Sequence, residues 1–271
     1  MLAHRYPLLL GAWCLAQSAH AMTPLEGNTG LANFPAIYQL LAADQGKMSL
    51  VSDPKGVIAN KKFAQLTLTD NGSNTFQQTA ITPLNPNPSS FINDGRRWYG
   101  FSIFIPDDWV TNNVPVKIAE IDSSNSSLPP PVAFYINNQD IQAVLSANHR
   151  DPSSSDPPTA ANTQSRSFTL MPATKGKWNC ITIRMDWNSA LRAGEMRVWV
   201  NREAQDSYIA LRTHNTYQGV TYIPRVGMSV NGALGAGVTQ RKVVVDAIVL
   251  GDGSVWPDPI QAAQPCPTPA Q

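Results

Sequence analysis

Apolar and polar residues alternate with a period of two along most of this chain, a pattern that suits strands buried on one face and little else. In Trp98–Ile105, the side chains of Tyr99, Phe101, Ile103 and Ile105 share one face, and Pro106-Asp107-Asp108 ends the run. In Val116–Asp122, the residues Val116, Ile118, Glu120 and Asp122 face one way, with Lys117, Ala119 and Ile121 facing the other. Val132–Ile136 and Ile141–Leu145 read as a hairpin around Asn137-Asn138-Gln139-Asp140. Further on, Ile181, Ile183, Met185 and Trp187 alternate with Thr182, Arg184 and Asp186, and Met196–Val200, Val226–Val230 and Val243–Leu250 supply more strands. One short helix is expected, around Pro35–Ala43. Many short strands joined by polar turns, without a strand–helix–strand rhythm, specify an all-β antiparallel sandwich or jelly roll with very little helix.

The charge balance narrows the partners. With 20 Lys+Arg against 19 Asp+Glu and only 14% charged residues, the chain lacks the basic stripe needed to neutralise nucleic-acid phosphates. Residues 1–21 read as a secretory signal: a polar start at His4 and Arg5, an apolar run from Tyr6 to Leu15, then Ala19-His20-Ala21 as a small-x-small cleavage site. The run is too short to span a bilayer. The expected organisation is a signal at 1–21, one domain at 22–256 and a Pro-rich tail at 257–271. The mature protein is expected outside the cell or in the periplasm, away from the membrane. Cleavage leaves two cysteines, Cys180 and Cys266. In an oxidising compartment these pair and tie the tail to a strand; alternatively, Cys180 is a small core residue and Cys266 a separate thiol.

Nucleotide-loop, serine-elbow and metalloprotease motifs are absent. Gly232-Ala233-Leu234-Gly235-Ala236-Gly237 reads as a hairpin loop. Glu120-Ile121-Asp122 stands out. Residues two apart on a strand project from one face at about 6–7 Å, and two neighbouring carboxylates raise at least one pKa, as acid–base chemistry requires. The alternative is a solvated strand end. A second cluster, His214, Tyr217, Tyr222 and Arg225, offers a base, two phenols and a cation able to hold a carboxylate bidentately. His149 and Arg150 lie in the polar run Ser146–Arg166, from which they could reach a ligand.

These segments carry a resemblance. Arg97–Trp109 (RWYGFSIFIPDDW), Gly176-Lys177-Trp178, Gly194–Asn201 (GEMRVWVN), Tyr222–Gly227 and Val244-Val245-Asp246 resemble motifs of the heparin-lyase-I-like polysaccharide lyases, a group that includes glucuronan lyases. The resemblance implies a concanavalin-like jelly roll and β-elimination on a uronic-acid polysaccharide. That reaction needs a group to neutralise the carboxylate, a base for the C5 proton and an acid for the leaving oxygen. Members commonly carry Gln-x-His where this chain has Glu120-Ile121-Asp122, and Lys-x-Gly-x-Tyr where it has Arg225-Val226-Gly227-Met228-Ser229. Serine cannot replace a phenol as an acid, so the loss at Ser229 bears most on catalysis.

Three readings stand. A lyase would use Arg225 for the carboxylate, Asp122 or His149 as base and Tyr222 or Tyr217 as acid, with Glu120, Arg150 and His214 in binding. A non-catalytic carbohydrate-binding protein would keep the cleft and lose the chemistry. A glycoside hydrolase would use Glu120 and Asp122, but Ser124 and Asn125 stand where a third carboxylate is expected. All three place a polysaccharide, acidic in the lyase case, as partner. No cofactor is implied, and no ligand cluster specific to calcium is visible.

Overall fold

The computed structural model describes residues 31, 38–43, 46–72, 75–84, 95–148, 159–187, 194–204, 221–253 and 257–266. Two antiparallel sheets are formed among them. The first runs β1 (Tyr38–Ala43), β4 (Phe76–Pro83), β13 (Tyr222–Asn231), β6 (Val116–Ser123), β7 (Val132–Asn137), β8 (Asp140–Asn148) and β9 (Thr163–Pro172). The second runs β12 (Glu203–Ala204), β11 (Glu195–Val200), β10 (Lys177–Trp187), β5 (Gly95–Ile105), β14 (Gln240–Val245), β3 (Phe63–Thr69) and β2 (Lys47–Val51), and β15 (Val249–Gly251) also pairs with β5. This is the antiparallel jelly-roll sandwich that the alternation specifies. Among the described residues, no helix is long and apolar enough to cross a membrane.

The core lies between the sheets. Tyr99, Phe101, Ile103 and Ile105 of β5 enter it, as their spacing requires, and meet Ile121 of β6, Phe134 of β7 and Met228 of β13. The Phe101 and Phe134 rings stand 6.0 Å apart. Each such side chain contributes roughly 1.5–3 kcal/mol through burial. The β7–β8 hairpin turns at Asn138-Gln139, where Asn138 takes a positive φ of 56°, a conformation asparagine tolerates better than most residues.

The other face of β5 is covered as well. The helix α1 (Pro257–Ala262) sets Ile260 against Trp98 and Val249. Gln264 donates to the carbonyls of Phe101 and Ile181 and accepts from Thr182. Gly100 sits under this contact, where a β-carbon would meet Ile260 at 2.9 Å. Cys180 and Cys266 form a disulfide that closes the arrangement.

Four local expectations are corrected. Tyr38–Ala43 is a strand rather than the end of a helix, because pairing from Tyr38↔Pro83 to Ala43↔Gln78 overrides the helical propensity of its Leu and Ala residues. Gly232–Gly237 is not a hairpin loop but the crossing from β13 in the first sheet to β14 in the second. Val243–Leu250 is split between β14 and β15, with Asp246 between them buried against Lys61. The ends of the polar run 146–166 are paired strand, since Ser146↔Ser165 and Asn148↔Thr163 belong to the β8–β9 ladder.

Candidate functional site

The charged site is built on β6 and β13, next to each other in the middle of the first sheet. A bulge on β6 decides which side chains reach it. Against β7, the register steps from Lys117↔Tyr135 to Ala119↔Phe134, so β6 carries one extra residue. Val116, Ile118, Ala119 and Ile121 all enter the core, and Lys117 shares the outer face with Glu120 and Asp122. This corrects the simple alternation, which set Lys117 on the face opposite the two carboxylates and grouped Val116 and Ile118 with them.

Arg225 lies directly across from Glu120 on β13, and Ile223 across from Asp122. One guanidinium nitrogen, Nη1, therefore meets both carboxylates, at 2.5 Å from Asp122 and 3.4 Å from Glu120. The second oxygen of Glu120 accepts from the Lys117 ammonium. The Glu120 side chain is only 4% exposed, so it sits as a buried anion between two cations, the arrangement under which a carboxylate tolerates burial. Lys117 and Arg225 against Glu120 and Asp122 leave the cluster without net formal charge.

Beside these ions is an open depression of about 160 Å³. It is lined by the small residues Ala80, Ala119 and Gly227, by Ile118 and Met228, and by the polar Gln78, Lys117, Glu120, Arg225 and Ser229. Gly227 is required here. It takes φ of 150°, and a β-carbon would fall 2.4 Å from both the Ala80 α-carbon and the Thr79 carbonyl oxygen. Any side chain would separate β13 from β4.

A row of polar residues crosses the sheet at this level. The register aligns Gln78 of β4, Ser229 of β13, Lys117 of β6, Tyr135 of β7 and Gln142 of β8. Burial raises the Tyr135 phenol above its ordinary pKa, and the neighbouring Glu120 charge adds to the shift.

The structure brings together Glu120, Asp122 and Arg225 of the residues singled out in the sequence. Tyr222 is placed elsewhere: its ring stacks on Trp187 with centroids 4.5 Å apart and planes 13° apart, and the residue is 0% exposed. It belongs to the core on the side of β13 away from Arg225. His149, Arg150, His214 and Tyr217 lie outside the described residues. Lys117 and Tyr135 were missed by the sequence reading. The outward direction of Tyr135 is implied by the inward Val132, Phe134 and Ile136, but its place beside Lys117 is a matter of strand pairing. Among the described residues, no group of three or more His, Cys, Asp and Glu is placed to hold a metal ion.

A family model described as polysaccharide lyase matches residues 46–248, which include every described residue of the site. No curated protein matches the sequence. Among solved structures, the endo-β-1,4-glucuronan lyase of the fungus Trichoderma reesei is similar at 16% identity and a TM-score of 0.65, over 79% of this chain and 90% of that one. Alginate lyase vAL-1 from Chlorella virus is similar at 10% identity and a TM-score of 0.52, over 77% and 90% of the two chains. A GH131 β-glucanase catalytic domain from Podospora anserina is similar at 14% identity and a TM-score of 0.51, over 81% and 86%. At these identities the likeness establishes the fold alone.

Proposed function

Because the chain belongs to the polysaccharide lyase family, we propose that it is a secreted lyase that cleaves a uronic-acid-containing polysaccharide by β-elimination. The observation that carries this reading is the placement of Arg225 and Lys117 on the open face of the first sheet, lining a depression there. Cations there lower the energy of the carboxylate-stabilised carbanion formed when the C5 proton leaves. Nη1 of Arg225 carries both protein carboxylates, and Nη2 forms no hydrogen bond with a described residue, so the guanidinium has a donor left for a uronate. Asp122, held by Arg225 at the edge of the cluster, is the base in this scheme. The glucuronan and alginate lyases that share the fold support an acidic polymer as the substrate class. The Cys180–Cys266 disulfide and the signal-like residues 1–21 support export to an oxidising compartment.

The test is ultraviolet absorbance from the unsaturated uronate product over a panel of acidic and neutral polysaccharides, with heat-killed protein as control. A rise with an acidic polymer is expected. A flat trace over the whole panel with folded protein would overturn the lyase reading. Binding without turnover would then gain ground. One observation already favours that second reading: β13 presents Ser229 to the site, where the related motif carries a phenol.

A further inference from the structure

We propose that Tyr135 is the proton donor of this site, protonating the glycosidic oxygen as it leaves C4. The inference rests on the lyase reading above and adds the residue that Ser229 fails to supply.

The argument begins with register. Ser229, Lys117 and Tyr135 stand opposite one another on β13, β6 and β7. Neighbouring strands lie about 4.8 Å apart, so Tyr135 is rooted roughly 10 Å from Ser229 across the sheet. Val132, Phe134 and Ile136 of β7 are buried between the sheets. Tyr135 therefore projects on the other side, with Lys117 and Glu120. Tyr135 is half-buried, and its hydroxyl forms no hydrogen bond with any described residue. The Tyr38, Tyr99 and Tyr222 side chains are no more than 2% exposed and belong to the inter-sheet core. Among the described residues, Tyr135 is thus the one phenol on the site's face. Burial and the Glu120 charge both favour its protonated form, as suits an acid.

The step balances without a further reactant. The base removes the C5 proton, the C5–H electron pair becomes the C4=C5 double bond, and the C4–O bond breaks with its pair going to oxygen. The Tyr135 hydroxyl proton passes to that oxygen. Solvent then reprotonates the tyrosinate and accepts the proton held by the base. No electron is gained or lost overall.

The experiment compares the full-length chain with Tyr135→Phe on two substrates. One is a uronate polymer. The other is a short uronate bearing fluoride at C4, which leaves without needing a proton. On the polymer, kcat should fall about a hundredfold or more, the usual contribution of a positioned acid, while KM stays within a few-fold and the melting curve is unchanged. On the fluoride substrate, the variant should keep most of the wild-type rate. Near-wild-type turnover of the polymer by Tyr135→Phe would overturn the proposal. So would an equal loss on both substrates, which would mark a structural role. A wild-type protein that forms no unsaturated product from any uronate would instead overturn the lyase reading itself, and the proton donor with it.

Discussion

Replacing Glu120 by glutamine removes one charge from the centre of the site and almost nothing else. The Glu120 carboxylate is buried, with one oxygen 3.4 Å from Arg225 and the other bonded to Lys117. At an effective dielectric of 20, the Arg225 contact alone corresponds to about 5 kcal/mol of Coulomb energy. Most of that is offset by the cost of taking the carboxylate out of water, a cost the glutamine does not incur. The amide oxygen also still accepts a hydrogen bond. What remains is the difference between charged and neutral hydrogen bonds, a net loss of about 1–3 kcal/mol. For a domain of this size, each kcal/mol lowers Tm by about 2–4 °C. Urea and thermal unfolding of Glu120→Gln against wild type read this directly. The same change takes the four-group cluster from neutral to a single positive charge. Affinity for a uronate polymer should rise, and it should weaken more steeply with added salt than in the wild type. Affinity electrophoresis at two ionic strengths measures both. A variant within about 0.5 kcal/mol of wild type, the range of an ordinary surface substitution, would refute the ion-paired account of Glu120. An unchanged affinity would show that the polymer binds elsewhere.

Other outcomes follow from the same geometry. The Cys180–Cys266 bridge has a sequence separation of 86, for which loop-closure entropy gives an upper value of about 4.5 kcal/mol. Reduction should lower Tm by roughly 10 °C, and calorimetry with and without reductant would show an unchanged midpoint if the bridge contributes nothing. Tyr222→Phe should leave turnover intact because the ring stacks on Trp187 in the core, whereas Tyr222→Ala should cost about 3–5 kcal/mol by analogy with other large aromatic truncations. A large loss of kcat in a fully stable Tyr222→Phe protein would put its hydroxyl back in the mechanism. Asp122→Asn should abolish product formation with little effect on the melt, and full activity would remove Asp122 as the base.

The sandwich was legible because its signal is local. Period-two runs such as Tyr99–Ile105 and the turn at Asn138-Gln139 are written in consecutive residues, and the core formed where they said. The failures share a different cause. Leu40–Ala43 suits a helix until β4 is present to pair with it. Gly232–Gly237 resembles a hairpin loop until the two strands it joins are assigned to different sheets. In each case the deciding partner lies far away in sequence.

The same division runs through the site. Glu120 and Asp122 were found because residues two apart on a regular strand share a face, whatever lies beside them. Lys117 escaped because one extra residue at the bulge inverts the face of everything before it. No pattern within β6 marks that residue: Ile118 is as apolar as the core positions around it. Tyr135 escaped for a further reason, since its outward direction is local information but its neighbour is not. The bulge and the β6–β7 register together bring a lysine and a phenol into one row with Ser229, on the face that also carries the buried Glu120. Under the proposed reading, a departure from the family motif that looks like lost chemistry along β13 is made good across the sheet, where a cation, a carboxylate and a phenol share one face.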